Sequence, residues 1–292
     1  MKLNEIYIRD PYILPYDGKY YLYGKTARTN TEFSVYISEN LNEWTEPKKV
    51  FTPDKDFWAD REFWAPEVYF YNDKFYMFAS FKSENKCRGT QVLVSNKPDG
   101  KFVPLTKEPA TPRDWECLDG TLYVDKKGNP HMVFCHEWLQ IGDGTVCEIQ
   151  LSNDLKKAVS KPRLLWKASD NEYVVNILKD RESKITDGPF FYRTKKGKLI
   201  CIWSSFDKNG YMVLTSASDN GDIDGNWTVD SEPLSAQHGG HGMIFETFEG
   251  EQKFVMHHPN EPLHECERAI IFDVIEHDGS IRLIDKNISF TK

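Results

Sequence analysis

Hydrophobic and polar positions along the chain recur as pairs of short apolar runs joined by a polar turn. The first pair lies in residues 10–24, where runs rich in Tyr, Ile and Leu flank the turn Asp17-Gly18. Similar pairs begin near residues 65, 119, 187 and 241. Aromatic and β-branched runs bounded by Gly, Asp or Asn are typical of β-hairpins. The pattern therefore predicts five hairpins and little helix.

The spacing of these pairs indicates the fold. A third apolar run follows each hairpin, and a turn carrying Trp or Phe often leads towards a fourth. Units of roughly 50 residues with about four strands are typical of β-propeller blades. A β-sandwich also contains many short strands, but it does not produce a fivefold recurrence. The sequence predicts an all-β, five-bladed β-propeller in one domain spanning residues 1–292.

Composition and charge narrow the possible partners. The formal net charge is −8, so the chain repels polyanions and we expect no nucleic-acid partner. No apolar run approaches the roughly 20 residues of a membrane helix, and we expect no membrane partner. The strand-like N-terminus without an apolar leader favours a cytoplasmic location, with a removed signal peptide as the alternative. The six cysteines form no C-x-x-C pair, and we expect buried free thiols.

Each repeat carries a polar residue near the start of its first strand. The innermost strands of a propeller line its central channel, so these residues are expected to face one another there. The five residues are Asp10, Glu67, Asp119, Asp187 and His241. Any one of them alone is equally explained as a turn former or a structural residue. Together they predict an axial polar site, in which like charges raise one another's pKa.

Carboxylates on opposite sides of a pocket are what glycoside hydrolysis requires, one as general acid and one as general base or nucleophile. Glu67 is a candidate substrate contact at this site. Trp64, Trp138 and Trp203 are candidates for stacking on sugar rings, and blade-to-blade packing is an equal alternative for each.

Five short segments resemble the family 43 glycoside hydrolases. They are Arg9-Asp10-Pro11, Trp64-Ala65-Pro66-Glu67-Val68, Leu118-Asp119-Gly120, Asp187-Gly188-Pro189 and Gly240-His241-Gly242. The resemblance runs through all five predicted blades. It implies an inverting glycosidase that acts on an oligosaccharide or polysaccharide of plant type. It favours α-L-arabinofuranosidase or arabinanase-like activity, with β-xylosidase or galactosidase activity as alternatives.

The resemblance also assigns roles. Asp10 matches the general base, and Asp119 matches the residue that tunes and orients the acid. The family's usual acid is a Glu in a Glu-Gly-Pro motif, where this chain has Asp187, one methylene shorter. Two solutions are open: Asp187 acts in a tighter pocket, or Glu137 reaches in from the end of a blade-three strand. We slightly favour Glu137, with Asp187 orienting it or binding substrate.

His241 resembles an axial histidine that holds a metal or water in many family members. We expect no cofactor for the chemistry, and either a structural Ca²⁺ beside several waters or a water cluster at His241. Arg268 is a candidate contact to a sugar hydroxyl, with a salt bridge as the alternative. The competing functions are a carbohydrate-binding propeller that has lost its acid and a protein-interaction propeller. The acidic ring argues against the latter.

Overall fold

The computed structural model describes residues 1–27, 31–261 and 265–284, so the predicted domain end at residue 292 lies outside the described residues. The described residues form five four-stranded antiparallel sheets, each with its strands in chain order. Helix is limited to α1 (Trp138–Ile141) and two 3₁₀ turns, Leu3–Glu5 and Ala168–Asp170. No helix in these ranges is long and apolar enough to cross a membrane.

Each sheet is one blade. Blade 1 contains β1 (Arg9–Tyr16), β2 (Lys19–Lys25), β3 (Phe33–Ser38) and β4 (Lys48–Phe51). Blade 2 contains β5 (Arg61–Tyr71), β6 (Lys74–Ser83), β7 (Lys86–Ser95) and β8 (Val103–Pro104). Blade 3 contains β9 (Cys117–Val124), β10 (Pro130–His136), β11 (Thr145–Gln150) and β12 (Arg163–Lys167). Blade 4 contains β13 (Asp187–Arg193), β14 (Leu199–Asp207), β15 (Gly210–Ser218) and β16 (Trp227–Val229). Blade 5 contains β17 (Gly240–Glu246), β18 (Gln252–His258), β19 (Arg268–His277) and β20 (Ser280–Ile284).

The blades close into a ring. The first strand of every blade contacts the first strands of both neighbouring blades, including β1 with β17. The predicted five-bladed propeller is confirmed. The turn Asp17-Gly18 has φ values of 48° and 72° between the paired residues Tyr16 and Lys19. This is the left-handed geometry that the Asp-Gly sequence favours in two-residue hairpins.

Aromatic side chains fill the space between blades. Trp203 is fully buried, and its ring centroid lies 6.2 Å from that of Trp166 in the adjacent blade. Its indole N–H donates to Ser216 Oγ at 2.9 Å. A sugar cannot reach this side chain, so the predicted stacking role of Trp203 is wrong and its role is blade-to-blade packing. The six cysteines are free, and all except the half-buried Cys87 and Cys266 are buried.

A β-bulge interrupts the first strand of every blade, near the end of the strand that carries the motif described above. The register of each first strand shifts there, and one residue adopts a positive φ of 46° to 55°. These bulge residues are Asp10, Ala65, Asp119, Gly188 and His241. Each is followed by Pro or Gly. A bulge bends the strand and redirects a side chain, which here turns the bulge position towards the axis.

The bulges correct the predicted alignment of the five titratable residues. Asp10, Asp119 and His241 occupy equivalent positions, but Glu67 lies two residues after the bulge residue of its blade and Asp187 lies one residue before. The feature shared by all blades is the Pro or Gly that follows the bulge, and not the acidic group. Asp187 is therefore equivalent to Arg9, Trp64 and Leu118.

Candidate active site

A cavity of about 520 Å³ lies at the bulge end of the axis. Its lining includes three bulge residues, Asp10, Asp119 and His241, which we call the axial trio. It also includes the residues that directly precede a bulge, namely Arg9, Trp64, Leu118 and Asp187. Two successive positions of the same motif therefore supply both sets, and side chains far apart in sequence share one polar pocket.

The backbone of the axial trio is fixed by the blade before it. Each bulge leaves an N–H outside the strand ladder, and a buried N–H requires a partner. In all three cases the acceptor is a side chain on the second strand of the preceding blade. The pairs are Asp119 with Ser80 Oγ at 2.8 Å, His241 with Ser204 Oγ at 2.9 Å, and Asp10 with His257 Nδ1 at 3.2 Å.

His241 joins the two aspartates of the trio. Its Nδ1 lies 3.3 Å from Asp10 Oδ1 and 3.6 Å from Asp119 Oδ2. The Gly188 N–H donates to the same Asp119 oxygen at 3.0 Å. A Cβ on Gly188 would lie 2.8 Å from the His241 ring, and its φ is 52°, so glycine is required for the ring to approach. The motif glycine thus brings blade 4 against the trio.

Asp10 has the character of a base. Burial acts to raise its pKa, but His241 and Arg9 beside it outweigh burial and lower the pKa below the ordinary value. The neighbouring His257 ring is neutral near neutral pH, because burial lowers its pKa to about 3. Its Nδ1 accepts the Asp10 N–H, so its Nε2 carries the proton and faces Asn260 Oδ1 at 3.2 Å. Asp10 is consequently ionised near neutral pH.

Asp119 and Asp187 have the opposite character. Burial and the negative charge of Asp10 raise the pKa of Asp119 to about 8. Burial and the neighbouring Asp119 carboxyl, which disfavours a second negative charge, raise the pKa of Asp187 to about 7. The partner of Asp187 is a neutral phenol, since the Tyr211 hydroxyl donates to its Oδ2 at 3.0 Å. The cavity therefore combines an ionised carboxylate with carboxyl groups that can hold a proton at neutral pH.

Glu137 lines the cavity between β10 and α1, but it belongs to a different cluster. Arg88, which is buried, forms ion pairs with Glu137 and with Glu62, the latter at 2.5 Å. The same guanidinium lies 4.3 Å from the Trp64 ring centroid. Burial raises the pKa of Glu137, and Arg88 opposes that rise. We call Glu62, Arg88 and Glu137 the arginine cluster.

Two predicted substrate contacts lie away from the cavity lining. Glu67 is buried and accepts a hydrogen bond from the Tyr69 hydroxyl at 2.5 Å, and burial raises its pKa to about 7. The Arg268 guanidinium donates to the carbonyl oxygens of Asn4 and Glu267, at 3.0 and 2.8 Å. Both side chains therefore make contacts within the protein and lie outside the cavity lining.

Trp64 and Trp138 do line the cavity, as do residues that the sequence did not single out. These are Tyr7, Arg9, Lys25, Glu62, Leu118, Ile185 and Tyr211. Arg9 and Leu118 had a usable signal, because each directly precedes a bulge residue in its motif. Tyr211 had none, since it lies on the third strand of its blade.

The described residues include no group of three or more His, Cys, Asp and Glu side chains that could hold a metal ion. Calcium prefers six to eight oxygen ligands, and His241 directs its Nδ1 at two carboxylates of the trio. These residues do not fit a calcium site built from protein ligands. The ion or water cluster predicted at His241 stays a prediction.

The axial cavity of this propeller holds an ionised carboxylate together with protonated carboxyl groups. These are the two kinds of group that glycoside hydrolases require. Residues 5–280 match the model of glycosyl hydrolases family 43, and the chain belongs to this family. The resemblance and the glycosidase class are therefore confirmed. Among curated proteins, none matches the chain significantly.

Solved structures agree with this assignment. An endo-arabinase from Bacteroides thetaiotaomicron VPI-5482 is 38% identical, with a TM-score of 0.90, and the match covers 96% of this chain and 98% of that one. An endo-1,4-beta-xylanase from the same organism is 25% identical, with a TM-score of 0.78 and coverage of 96% and 95%. An alpha-L-arabinofuranosidase from Lactobacillus brevis is 16% identical over 94% and 93%, with a TM-score of 0.79, and shows the shared fold.

Proposed function

We propose that this glycoside hydrolase cleaves α-L-arabinofuranosyl linkages in arabinan-type glycans with inversion of configuration. The observation that carries the chemistry is that Asp10, Asp119 and Asp187 line one cavity with pKa values shifted in opposite directions. The choice of substrate is supported by the 38% identity with an endo-arabinase over almost the whole of both chains.

The reaction uses one carboxylate and one carboxylic acid. Asp10 removes a proton from a water molecule, and the water oxygen attacks the anomeric carbon. The bond between that carbon and the glycosidic oxygen breaks, and Asp187 donates its proton to the departing oxygen. The products are a sugar of inverted configuration and a free hydroxyl, with Asp10 protonated and Asp187 ionised. Exchange with solvent restores both groups.

Asp187 suits the acid role better than Glu137, which reverses our preference from the sequence. A general acid must carry a proton before the bond breaks. The guanidinium of Arg88 contacts the Glu137 carboxylate and favours its ionised form. For Asp187, His241 and the Tyr211 hydroxyl act to lower the pKa, but burial and the neighbouring carboxyls of Asp119 and Asp10 outweigh them and raise it to about 7. The shorter side chain starts from the position directly before the bulge, where residues of three other blades also line the cavity.

Asp119 is a positioning residue in this scheme. It accepts the N–H of Gly188, the residue after Asp187, and lies near His241. Two carboxylates this close repel each other, so Asp119 disfavours the ionisation of Asp187. It therefore orients the acid through the backbone and keeps a proton on it.

The test compares Asp187→Asn with Glu137→Gln on 1,5-α-L-arabino-oligosaccharides and on an aryl α-L-arabinofuranoside with a good leaving group. An activated leaving group needs little protonation, so loss of the true acid spares it. We expect Asp187→Asn to lose about 100-fold or more on the oligosaccharide and far less on the aryl glycoside. Proton NMR of the first-formed anomer tests inversion.

Glu116→Gln is the matched control, because Glu116 contacts the Arg88 backbone and Lys82 but does not line the cavity. If Glu137→Gln, and not Asp187→Asn, shows the selective loss, Glu137 is the acid. Hydrolysis of xylosides but not arabinosides by the unaltered protein would overturn the proposed substrate.

A further inference from the structure

More residues separate the bulge residues of blades 3 and 4 than those of any other two consecutive blades. Asp119 and Gly188 are 69 positions apart, whereas the other neighbouring bulge residues are 53 to 55 apart. Part of the additional chain lies in the connection between these two blades, in residues 171–186, directly before β13 and Asp187. An insertion at this place is adjacent to the proposed acid.

This connection is anchored at several points along its length. The backbone of Lys184 bonds to the turn after α1, donating to Gly142 O at 3.0 Å and accepting from Gly144 N at 2.8 Å. Further back, the Val175 N–H donates to Phe206 O at 3.0 Å. The connection is therefore held against the turn after α1 of blade 3 and against blade 4. We call α1 together with residues 171–186 the wall.

The interior of the connection is closed by a buried serine. Ser183 is fully buried, its Oγ accepts the Leu178 N–H at 2.8 Å, and its own N–H donates to Asn176 Oδ1 at 2.9 Å. These bonds fix the residues between them, including Arg181. The Arg181 guanidinium lies 5.4 Å from the Trp138 ring centroid.

Two apolar side chains of this wall reach the cavity. Trp138 begins α1 and Ile185 ends the connection, and both line the cavity together with Asp187. A general acid contacts the glycosidic oxygen, which leaves with the departing sugar. The departing sugar must therefore lie on the Asp187 side of the broken bond, where this wall stands.

We propose that Trp138 and Ile185, which line the cavity, form the binding subsite for the sugar unit that departs, together with Arg181, which lies outside the lining but against the Trp138 ring. The indole and Ile185 offer an apolar surface to the C–H face of a sugar ring, and Arg181 offers donors to its hydroxyl oxygens. This inference rests on the proposed function, since it takes Asp187 as the acid. It makes residues 171–186 a determinant of chain-length preference.

The experiment compares substrates with and without a departing sugar. The substrates are 1,5-α-L-arabinotriose and α-L-arabinofuranosyl fluoride, whose leaving fluoride fills no sugar subsite. We expect Trp138→Ala to lower kcat/KM for arabinotriose about 10- to 100-fold, and Arg181→Ala about 3- to 10-fold. Both variants should hydrolyse the fluoride within about twofold of the unaltered protein.

Leu139→Ala is the matched control, because Leu139 follows Trp138 in α1 but is 45% exposed and does not line the cavity. It should change neither rate. Calorimetric titration of arabinotriose into Asp10→Asn, with and without Trp138→Ala, gives a readout without turnover, and about tenfold weaker binding is expected.

Equal losses on both substrates, or no loss on arabinotriose, would overturn the subsite. If the unaltered protein cleaves xylosyl instead of arabinosyl substrates, the proposed function fails on its own. The same variants on xylobiose and xylosyl fluoride then decide the subsite separately.

Discussion

Two clusters of carboxylates line the same cavity and differ in their partners. In the arginine cluster, one buried guanidinium contacts both Glu62 and Glu137. Around the axial trio, the guanidinium of Arg9 lowers the pKa of Asp10, and it is itself paired with Glu267 at 2.6 Å. Asp119 and Asp187 there face other carboxylates, and their pKa values rise to about 8 and about 7.

The comparison shows that burial alone does not make a carboxyl group reactive. Glu137 and Asp119 are both buried, but a cation in contact favours the charge of a carboxyl group, whereas a second carboxylate favours a proton on it. The arginine cluster can therefore hold a wall in place, and the trio with Asp187 can transfer protons. The following changes test that division, beginning with the largest expected effect.

Asp10→Asn removes the base from the axial trio and should lower kcat about 10³-fold, because an amide cannot take a proton from water. Initial rates on arabino-oligosaccharides and on the aryl glycoside should fall together, since both need the attacking water. Asp17→Asn, in the exposed hairpin turn of the same blade, is the control. A loss below about tenfold would contradict the assignment of Asp10 as the base.

Arg88→Met should destabilise the fold by about 3–5 kcal/mol, because it leaves Glu62 and Glu137 without their cation. Urea unfolding measures this change. Adding Glu137→Gln should recover part of the loss, since a neutral amide needs no counter-charge. The control Arg61→Met breaks an exposed pair with Asp60 and should leave the free energy of unfolding nearly unchanged. Equal costs for the two arginines would remove the distinction between the clusters.

The pH dependence of kcat/KM should reflect the ionisation of Asp187 beside the axial trio, and not that of the arginine cluster. As pH rises through about 7, Asp187 loses its proton. The rate should then fall about tenfold per pH unit. Asp119→Asn should move this falling limb to lower pH, because the carboxyls of Asp119 and Asp187 disfavour each other's ionisation and an amide removes that coupling. Glu137→Gln should leave the limb in place. A shift caused by Glu137→Gln instead would identify that residue as the titrating acid.

The repeat made much of this site predictable. Asp10, Asp119 and His241 stand before a Pro or Gly in a motif that recurs in every blade, so their shared position could be recognised without coordinates. Glu67 was aligned with the other four titratable residues by its acidic side chain. The feature that repeats in the backbone is instead the bulge, which lies two residues earlier in that blade. A buried glutamate that bonds to Tyr69 has the same sequence signature as one that meets a ligand.

Other features had no such signal. β14 is buried on both faces from Leu199 to Ser205, so no alternation of polar residues showed which way Trp203 points. Glu62 and Arg88 lie on the first and third strands of blade 2, and only the packing of blade 2 against blade 3 brings Glu137 to them. Which residues of different blades contact one another depends on the tertiary structure. These contacts determine which carboxyl group can act as the acid.

The Asp10 N–H bonds to His257, which lies in the last blade, while Asp10 itself lies in the first. The adjoining Ile8 N–H likewise donates to Glu267 O at 3.2 Å. The orientation of the base is thus completed only when the two ends of the chain meet. During synthesis, a chain with four finished blades already contains every proposed proton-transferring residue, yet it has no assembled site. Turnover can therefore begin only after the C-terminal blade has emerged from the ribosome and docked, so that catalytic competence is coupled to the completion of folding.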